Sequence, residues 1–150
     1  MATSRPRALI VDDDPVVVHV LGALLAERGI DSVWAADGRD GLRRLSDELL
    51  SLDVLVTDLL MPGLSGDALV MAVRELGGER DLPIVVLSGH LDSVRADALR
   101  TAGADAVVSK DDGLEPAAIA ALELLTARGR LGTRSGGQPV ARIALGRQRG

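Results

Sequence analysis

The sequence predicts an α/β protein, a doubly wound parallel sheet with helices on both faces, and three observations carry that expectation. Five apolar runs of strand length alternate with five longer helical stretches, the pattern of repeated βα units. Most of the runs are continuous rather than alternating, as strands covered on both faces should be. Four of them run directly into polar residues: Asp12-Asp13-Asp14, Asp58, Ser88 and Lys110. In open sheets of this class ligands sit outside the carboxyl ends of the strands, so those four ends are expected to converge on one site.

The first strand is read at Ala8–Val11 and is expected at the centre of the sheet. Asp14-Pro15 then supplies an N-cap and a proline at the first helical position, starting a helix over Pro15–Arg28 that Gly29 stops. A second strand, Ser32–Ala35, contains Trp34, the only aromatic residue of the chain, and leads to a helix over Gly38–Leu49. The third strand, Val54–Thr57, delivers Asp58 into a turn-rich loop with Pro62-Gly63 and Ser65-Gly66. A helix over Ser65–Leu76 follows. The fourth strand is Ile84–Leu87, ending at Ser88, with a helix over Leu91–Ala102 that stops at Gly103. The fifth, Ala106–Ser109, ends at Lys110 and is followed by a helix over Leu114–Ala127. That last helix is apolar nearly all round, with Glu115 and Glu123 as the main exceptions, and such a helix needs more than one partner surface.

Composition narrows the function. With no cysteine, disulfides and thiolate-held zinc or iron–sulfur sites are excluded. No apolar run approaches the roughly 20 residues that cross a bilayer, so a cytoplasmic protein with no membrane contact is expected. The 150 residues carry 17 basic and 22 acidic side chains. No acid lies beyond Glu123, whereas six arginines begin at Arg128, which leaves about −11 on residues 1–127 and about +6 on 128–150. The chain is therefore divided into a folded unit, 1–127, and a Gly/Arg-rich tail, 128–150, expected to be disordered. Within that tail, Val140–Leu145 is a short apolar patch suited to ordering on a partner.

The convergent residues have a coherent chemistry. Asp12, Asp13 and Asp58 at adjacent strand ends place like charges together, which is unfavourable without a cation or proton. Mg²⁺ fits, being a hard ion held by one or two carboxylates and several waters. A carboxylate can also be the nucleophile that accepts a phosphoryl group, and phosphoryl transfer depends mostly on positioning and cationic clamping. Asp58 is expected as the nucleophile, Asp12 and Asp13 as the metal pair and Asp14 as the helix cap. Ser88 would donate to a phosphoryl oxygen, and Lys110 would supply the ammonium. Lys110 is the only lysine among the basic residues, and a compact ammonium is not equivalent to a guanidinium fork. Each residue alone has a blander reading. Asp12–Asp14 could be a solvated capping turn, Ser88 a loop hydroxyl, Lys110 a surface lysine, and Leu60 and His90 ordinary loop residues. His19 is read as a surface histidine. The four motifs in one order favour the site.

Those motifs are Val-Asp-Asp-Asp-Pro from Val11, Thr-Asp-Leu-Leu-Met-Pro-Gly-Leu-Ser-Gly from Thr57, Val-Val-Leu-Ser-Gly from Val85 and Ala-Gly-Ala-Asp-Ala-Val-Val-Ser-Lys from Ala102. In this order and spacing the chain resembles, over about residues 7–127, the receiver domain of two-component response regulators, of stand-alone type. The resemblance implies a flavodoxin-like five-stranded sheet in the order 2-1-3-4-5. It implies a phosphorylation-controlled switch whose Asp58 takes a phosphoryl group from a histidine kinase or histidine phosphotransfer protein. By the same resemblance Asp13, Asp58 and the backbone carbonyl of Leu60 hold Mg²⁺ directly and Asp12 acts largely through water, while Ser88 and Lys110 contact the phosphoryl group. A receiver catalyses only its own phosphorylation and dephosphorylation and is not an enzyme for a metabolite.

The sequence departs from the family pattern in places. Val107 stands where receivers usually carry an aromatic that reports the switch hydroxyl. Asp111-Asp112-Gly113 follows Lys110 in place of proline, predicting a more mobile loop. No DNA-binding output module is expected in 128–150, so signalling is expected through a downstream protein target, with a homodimer through the Leu91–Ala127 face as one form of contact. A nucleic-acid partner is not expected. Two other classes compete: a phosphorylation-independent adaptor with the receiver fold, and an aspartyl-nucleophile phosphatase or phosphotransferase. The latter would call for a second acid two residues after Asp58, where this chain has Leu60.

Overall fold

Five parallel strands form one sheet in the order β2-β1-β3-β4-β5 in the computed structural model, which describes residues 5–77, 81–89 and 92–129. In chain order the elements are β1 (Arg7–Val11), α1 (Pro15–Glu27), β2 (Asp31–Ala35), α2 (Gly38–Glu48), β3 (Val54–Asp58) and α3 (Gly66–Gly77). They continue with β4 (Ile84–Ser88), α4 (Ser93–Ala102), β5 (Ala106–Ser109) and α5 (Glu115–Ala127). The expected alternation of strands and helices is borne out. The order 2-1-3-4-5 implied by the resemblance is borne out, and it corrects the reading of β1 as the centre: β3 is the middle strand and β1 lies beside it. The chain winds outward to β2 and then returns past β1 to β3. The strand order thus reverses between β1 and β3, and a crevice at their carboxyl ends is where such folds bind ligands.

Residue alternation along the strands splits the core in two. Leu9, Val11, Leu55, Ile84 and Val86 pack with Leu45, Leu69, Val73 and Leu99, the side covered by α2, α3 and α4. Ile10, Val54, Val56, Val85 and Leu87 pack with Leu21, Leu25, Ala117, Ala121 and Leu125, the side covered by α1 and α5. β3 and β4 are buried at every position, and burying a Val, Leu or Ile side chain stabilises by roughly 1.5–3 kcal/mol each. The edge strand β2 departs from the continuous pattern, with Asp31, Ser32 and Trp34 exposed.

Helix ends follow local chemistry. The Asp14 carboxylate accepts the Val16 amide at 2.9 Å and Pro15 opens α1. This compensates a β-branched start, Val16-Val17-Val18, that lowers helix propensity. Asp37 caps α2 and Asp92 caps α4 in the same way. Gly29 and Gly103 have φ of 83° and 126°, the left-handed region that lets a helix turn away. α2 ends at Glu48, one residue short of the expected limit, and a 3-10 turn, Leu49–Ser51, completes it. The acidic segment after Lys110 takes a defined local turn. Residues Lys110–Asp112 form a 3-10 turn, closed by the Gly113 amide donating to Lys110 O at 3.0 Å and capped by the Asp111 amide donating to Ser109 Oγ at 3.1 Å. α5 buries Ala117, Ala118, Ala121 and Leu125 and leaves Ile119 41% exposed. Four readings lie wholly or partly outside the described residues: His90, the helix start at Leu91, the patch Val140–Leu145 and the tail beyond Gly129.

Candidate functional site

The carboxyl ends of β1, β3, β4 and β5 bring together Asp12, Asp58, Ser88 and Lys110, as the motif order predicts. β1 stops at Val11, so Asp12 and Asp13 are the first residues past the ladder. Asp58 and Ser88 are the last residues of β3 and β4 and are buried. Ser109 ends β5 opposite Ser88, and Lys110 turns from there over the site. Its ammonium lies 3.0 Å from Asp12 Oδ2 and 3.2 Å from Asp58 Oδ1, with the side chain 23% exposed. Carboxylate oxygens of Asp12, Asp13 and Asp58 all fall within 4.8 Å of one another.

The three acids are not equivalent. Asp12 is wholly buried and every polar group it has is engaged. Its amide donates to Ala35 O at 3.2 Å and its carbonyl accepts Trp34 Nε1–H at 2.9 Å. Its carboxylate accepts the Asp14 amide at 2.9 Å and the Lys110 ammonium at 3.0 Å. Asp13 is exposed. Asp58 is held from behind: Thr57 Oγ1 donates to the Asp58 carbonyl at 2.9 Å, and the Leu59 amide donates to Leu87 O at 2.9 Å. The loop after Asp58 folds back so closely that a Cβ on Gly66 would stand 2.3 Å from the Asp58 carbonyl oxygen. A Cβ on Gly38, at the start of α2, would stand 2.0 Å from Leu64 O in the same loop. Two glycines therefore set how near α2 and α3 bring that loop to the site.

Electrostatics follow from this crowding. Burial, and then the charge of Asp12, push the Asp58 carboxyl above its ordinary pKa, and the Lys110 ammonium and Leu59 amide only partly counter them. For Lys110, burial favours the neutral amine, but the hydrogen bond and charge of Asp12, joined by those of Asp58, win and raise its pKa. Three carboxylates face one ammonium. The formal excess is the charge of one Mg²⁺, and an all-oxygen set suits that ion. Asp13 is open to solvent, and each of the three acids offers an oxygen to a shared ion. Asp12 has both carboxylate oxygens engaged, by the Asp14 amide and the Lys110 ammonium.

Residues 8–120 match the response regulator receiver domain family. The chain belongs to that family. This receiver is 34% identical over 110 residues to the DNA-binding response regulator MtrA of Mycolicibacterium smegmatis, covering 73% of this chain and 46% of the relative. It is 34% identical over 132 residues to the transcriptional regulatory protein PrrA of Mycobacterium tuberculosis, covering 88% of this chain and 55% of the relative. The chain thus spans about half the length of the curated relatives it matches. Among solved structures it resembles the Francisella response regulator 1452 receiver domain, with a TM-score of 0.73, 26% identity and coverage of 83% of this chain and 98% of that one. It also resembles a response regulator receiver protein from Pseudomonas putida, with a TM-score of 0.63, 32% identity and coverage of 73% and 88%. The receiver is thus a part of two-component signalling, and no helix among the described residues is long and apolar enough to cross a membrane.

Two positions stand apart from the sequence reading. Leu60, two residues past Asp58, is 64% exposed at the rim. Trp34, which the motif reading passed over, is joined to Asp12 through its indole. The signal available was its place as the only aromatic, near the end of a strand expected in the same sheet as Asp12. Its hydrogen bond is legible only in three dimensions.

Proposed function

We propose that this receiver is a phosphorylation-controlled switch whose Asp58 accepts a phosphoryl group from a histidine kinase or histidine phosphotransfer protein. The observation that carries the reading is Lys110 bridging Asp12 and Asp58 while Asp13 lies within 4.8 Å of both. In the transfer, a carboxylate oxygen of Asp58 forms a bond to phosphorus as the bond from phosphorus to the donor's imidazole nitrogen breaks. The electron pair of that bond stays on the imidazole. The developing charge sits on the phosphoryl oxygens. Lys110 would neutralise one of them, and the Ser88 hydroxyl, at the end of β4, would donate to another. Asp13, Asp58 and the Leu60 carbonyl would hold Mg²⁺, with Asp12 acting through water. When bound, the ion would supply charge neutralisation of the transferring group.

Drawing Ser88 and Lys110 towards a phosphoryl group would bias the surface from Leu91 to Ala127, the face proposed to meet a downstream protein or a second copy. Val107 is aliphatic and packs against the core, so the signal would pass without an aromatic at that position. The proposed folded unit is 1–127. Its charge of about −11 opposes contact with a phosphate backbone, so that unit is read as a protein-binding module. The adaptor reading rests on the same aliphatic Val107.

The test is intact mass after incubation with acetyl phosphate, with and without Mg²⁺, for the wild-type chain and Asp58→Ala. One added phosphoryl group requiring both Mg²⁺ and Asp58 supports the switch. No addition here and none from a panel of histidine kinases leaves the adaptor.

A further inference from the structure

Trp34 is the only aromatic residue of the chain and is 41% exposed on an edge strand, so large-side-chain packing alone does not account for it. Its Nε1–H donates to the backbone carbonyl of Asp12 at 2.9 Å. The β1–β2 ladder ends with the pair Val11 and Ala35, and the Asp12 amide still reaches Ala35 O at 3.2 Å. The next group along the chain, the Asp12 carbonyl, is held by the indole.

That carbonyl belongs to the peptide unit that joins Asp12 to Asp13. The unit is planar from one Cα to the next. Fixing its oxygen, with the Asp12 amide already fixed, places the Cα of Asp13. Asp13 needs that help more than its neighbours. The Asp12 carboxylate is tied by the Asp14 amide and Lys110, and Asp58 is anchored at the end of β3. Asp13 is exposed, past the end of the strand, with no side-chain hydrogen bond or ion pair among the described residues.

We propose that Trp34 is a positioning residue for the acidic site. Its indole N–H extends the hold of β2 on β1 by one peptide and aims Asp13 at the cation shared with Asp58. The inference rests on the reading of Asp13 and Asp58 as cation ligands. Mutations of groups that orient ligands weaken metal binding without removing a ligand.

The experiment measures Mn²⁺ binding to the full chain by the electron paramagnetic resonance signal of the free ion, alongside thermal melts. Mn²⁺ is chosen because it shares the oxygen preference of Mg²⁺. The proteins are wild type, Asp13→Asn, Trp34→Phe and Trp34→Tyr. Neither replacement ring carries an N–H at the indole position. Wild type binding one ion and Asp13→Asn losing it supports the underlying site. Trp34→Phe, or Trp34→Tyr if the first does not fold, should then bind about 3- to 10-fold more weakly, the range one net hydrogen bond corresponds to. A purely structural tryptophan would lower the melting temperature and leave the affinity of the folded protein unchanged. A folded Trp34 variant binding as tightly as wild type overturns the positioning role while the acid site stands. No Mn²⁺ binding by wild type overturns both.

Discussion

The Lys110 ammonium lies 3.2 Å from a carboxylate oxygen of Asp58, yet the Asp58 carboxyl has a raised pKa. Burial and the neighbouring Asp12 outweigh the attraction. A buried carboxylate destabilised in this way is poised to take up whatever relieves it: a proton, a metal ion or a bond to phosphorus. The absence of such relief should be measurable.

Asp58→Asn should stabilise the metal-free protein at neutral pH by about 1–2 kcal/mol, as removal of a desolvated like charge does. The sign with pH follows from the raised pKa. The folded state holds the Asp58 proton more tightly than the unfolded chain, so that contribution is full below the unfolded value and is lost as pH rises through the folded one. Denaturation midpoints in chelator should therefore show the gap between Asp58→Asn and wild type widening upward from mildly acidic pH. A gap that narrows instead contradicts the assignment.

Mg²⁺ should stabilise the wild type and raise its melting temperature in a concentration-dependent way, by about 2.7 kcal/mol at a hundredfold excess over the dissociation constant. The shift should vanish in Asp13→Asn. Differential scanning calorimetry at fixed ionic strength separates specific binding from general screening by salt.

Lys110→Ala should destabilise by about 1–3 kcal/mol, since it leaves Asp12 and Asp58 without their shared partner in a partly buried site. Urea titration reads this. Lys110→Arg should recover part of the stability but less of the phosphoryl uptake, because a planar fork does not replace a compact ammonium between two carboxylates.

Leu60 presents no polar group to orient an attacking water and is 64% exposed at the rim. The phosphorylated protein should therefore lose its phosphoryl group slowly enough to survive desalting, followed by intact mass over time. Decay within seconds contradicts this shielding role.

Gly66→Ala should cost at least about 2 kcal/mol, because its Cβ would meet the Asp58 carbonyl oxygen at 2.3 Å and backbone must move to admit it. The same shift disturbs Asp58, so phosphoryl uptake should fall in whatever fraction folds.

The chain by itself determined the alternation of strands and helices, the capping at Asp14-Pro15 and the four polar strand ends. These depend on periodicity, turn chemistry and composition, which are local properties. Membership of the receiver family was legible for the same reason, since four short motifs keep their order and spacing. The tertiary structure alone decided that Lys110 bridges Asp12 and Asp58 and that Lys110–Asp112 forms a 3-10 turn. It also decided that Trp34 grips the Asp12 carbonyl and that Gly38 and Gly66 lie against backbone. Each of these is a contact between residues distant in the chain or a local geometry fixed by such contacts. A propensity marks where an element begins and ends, whereas a hydrogen bond between Trp34 and Asp12 exists only once parallel pairing has set β2 beside β1.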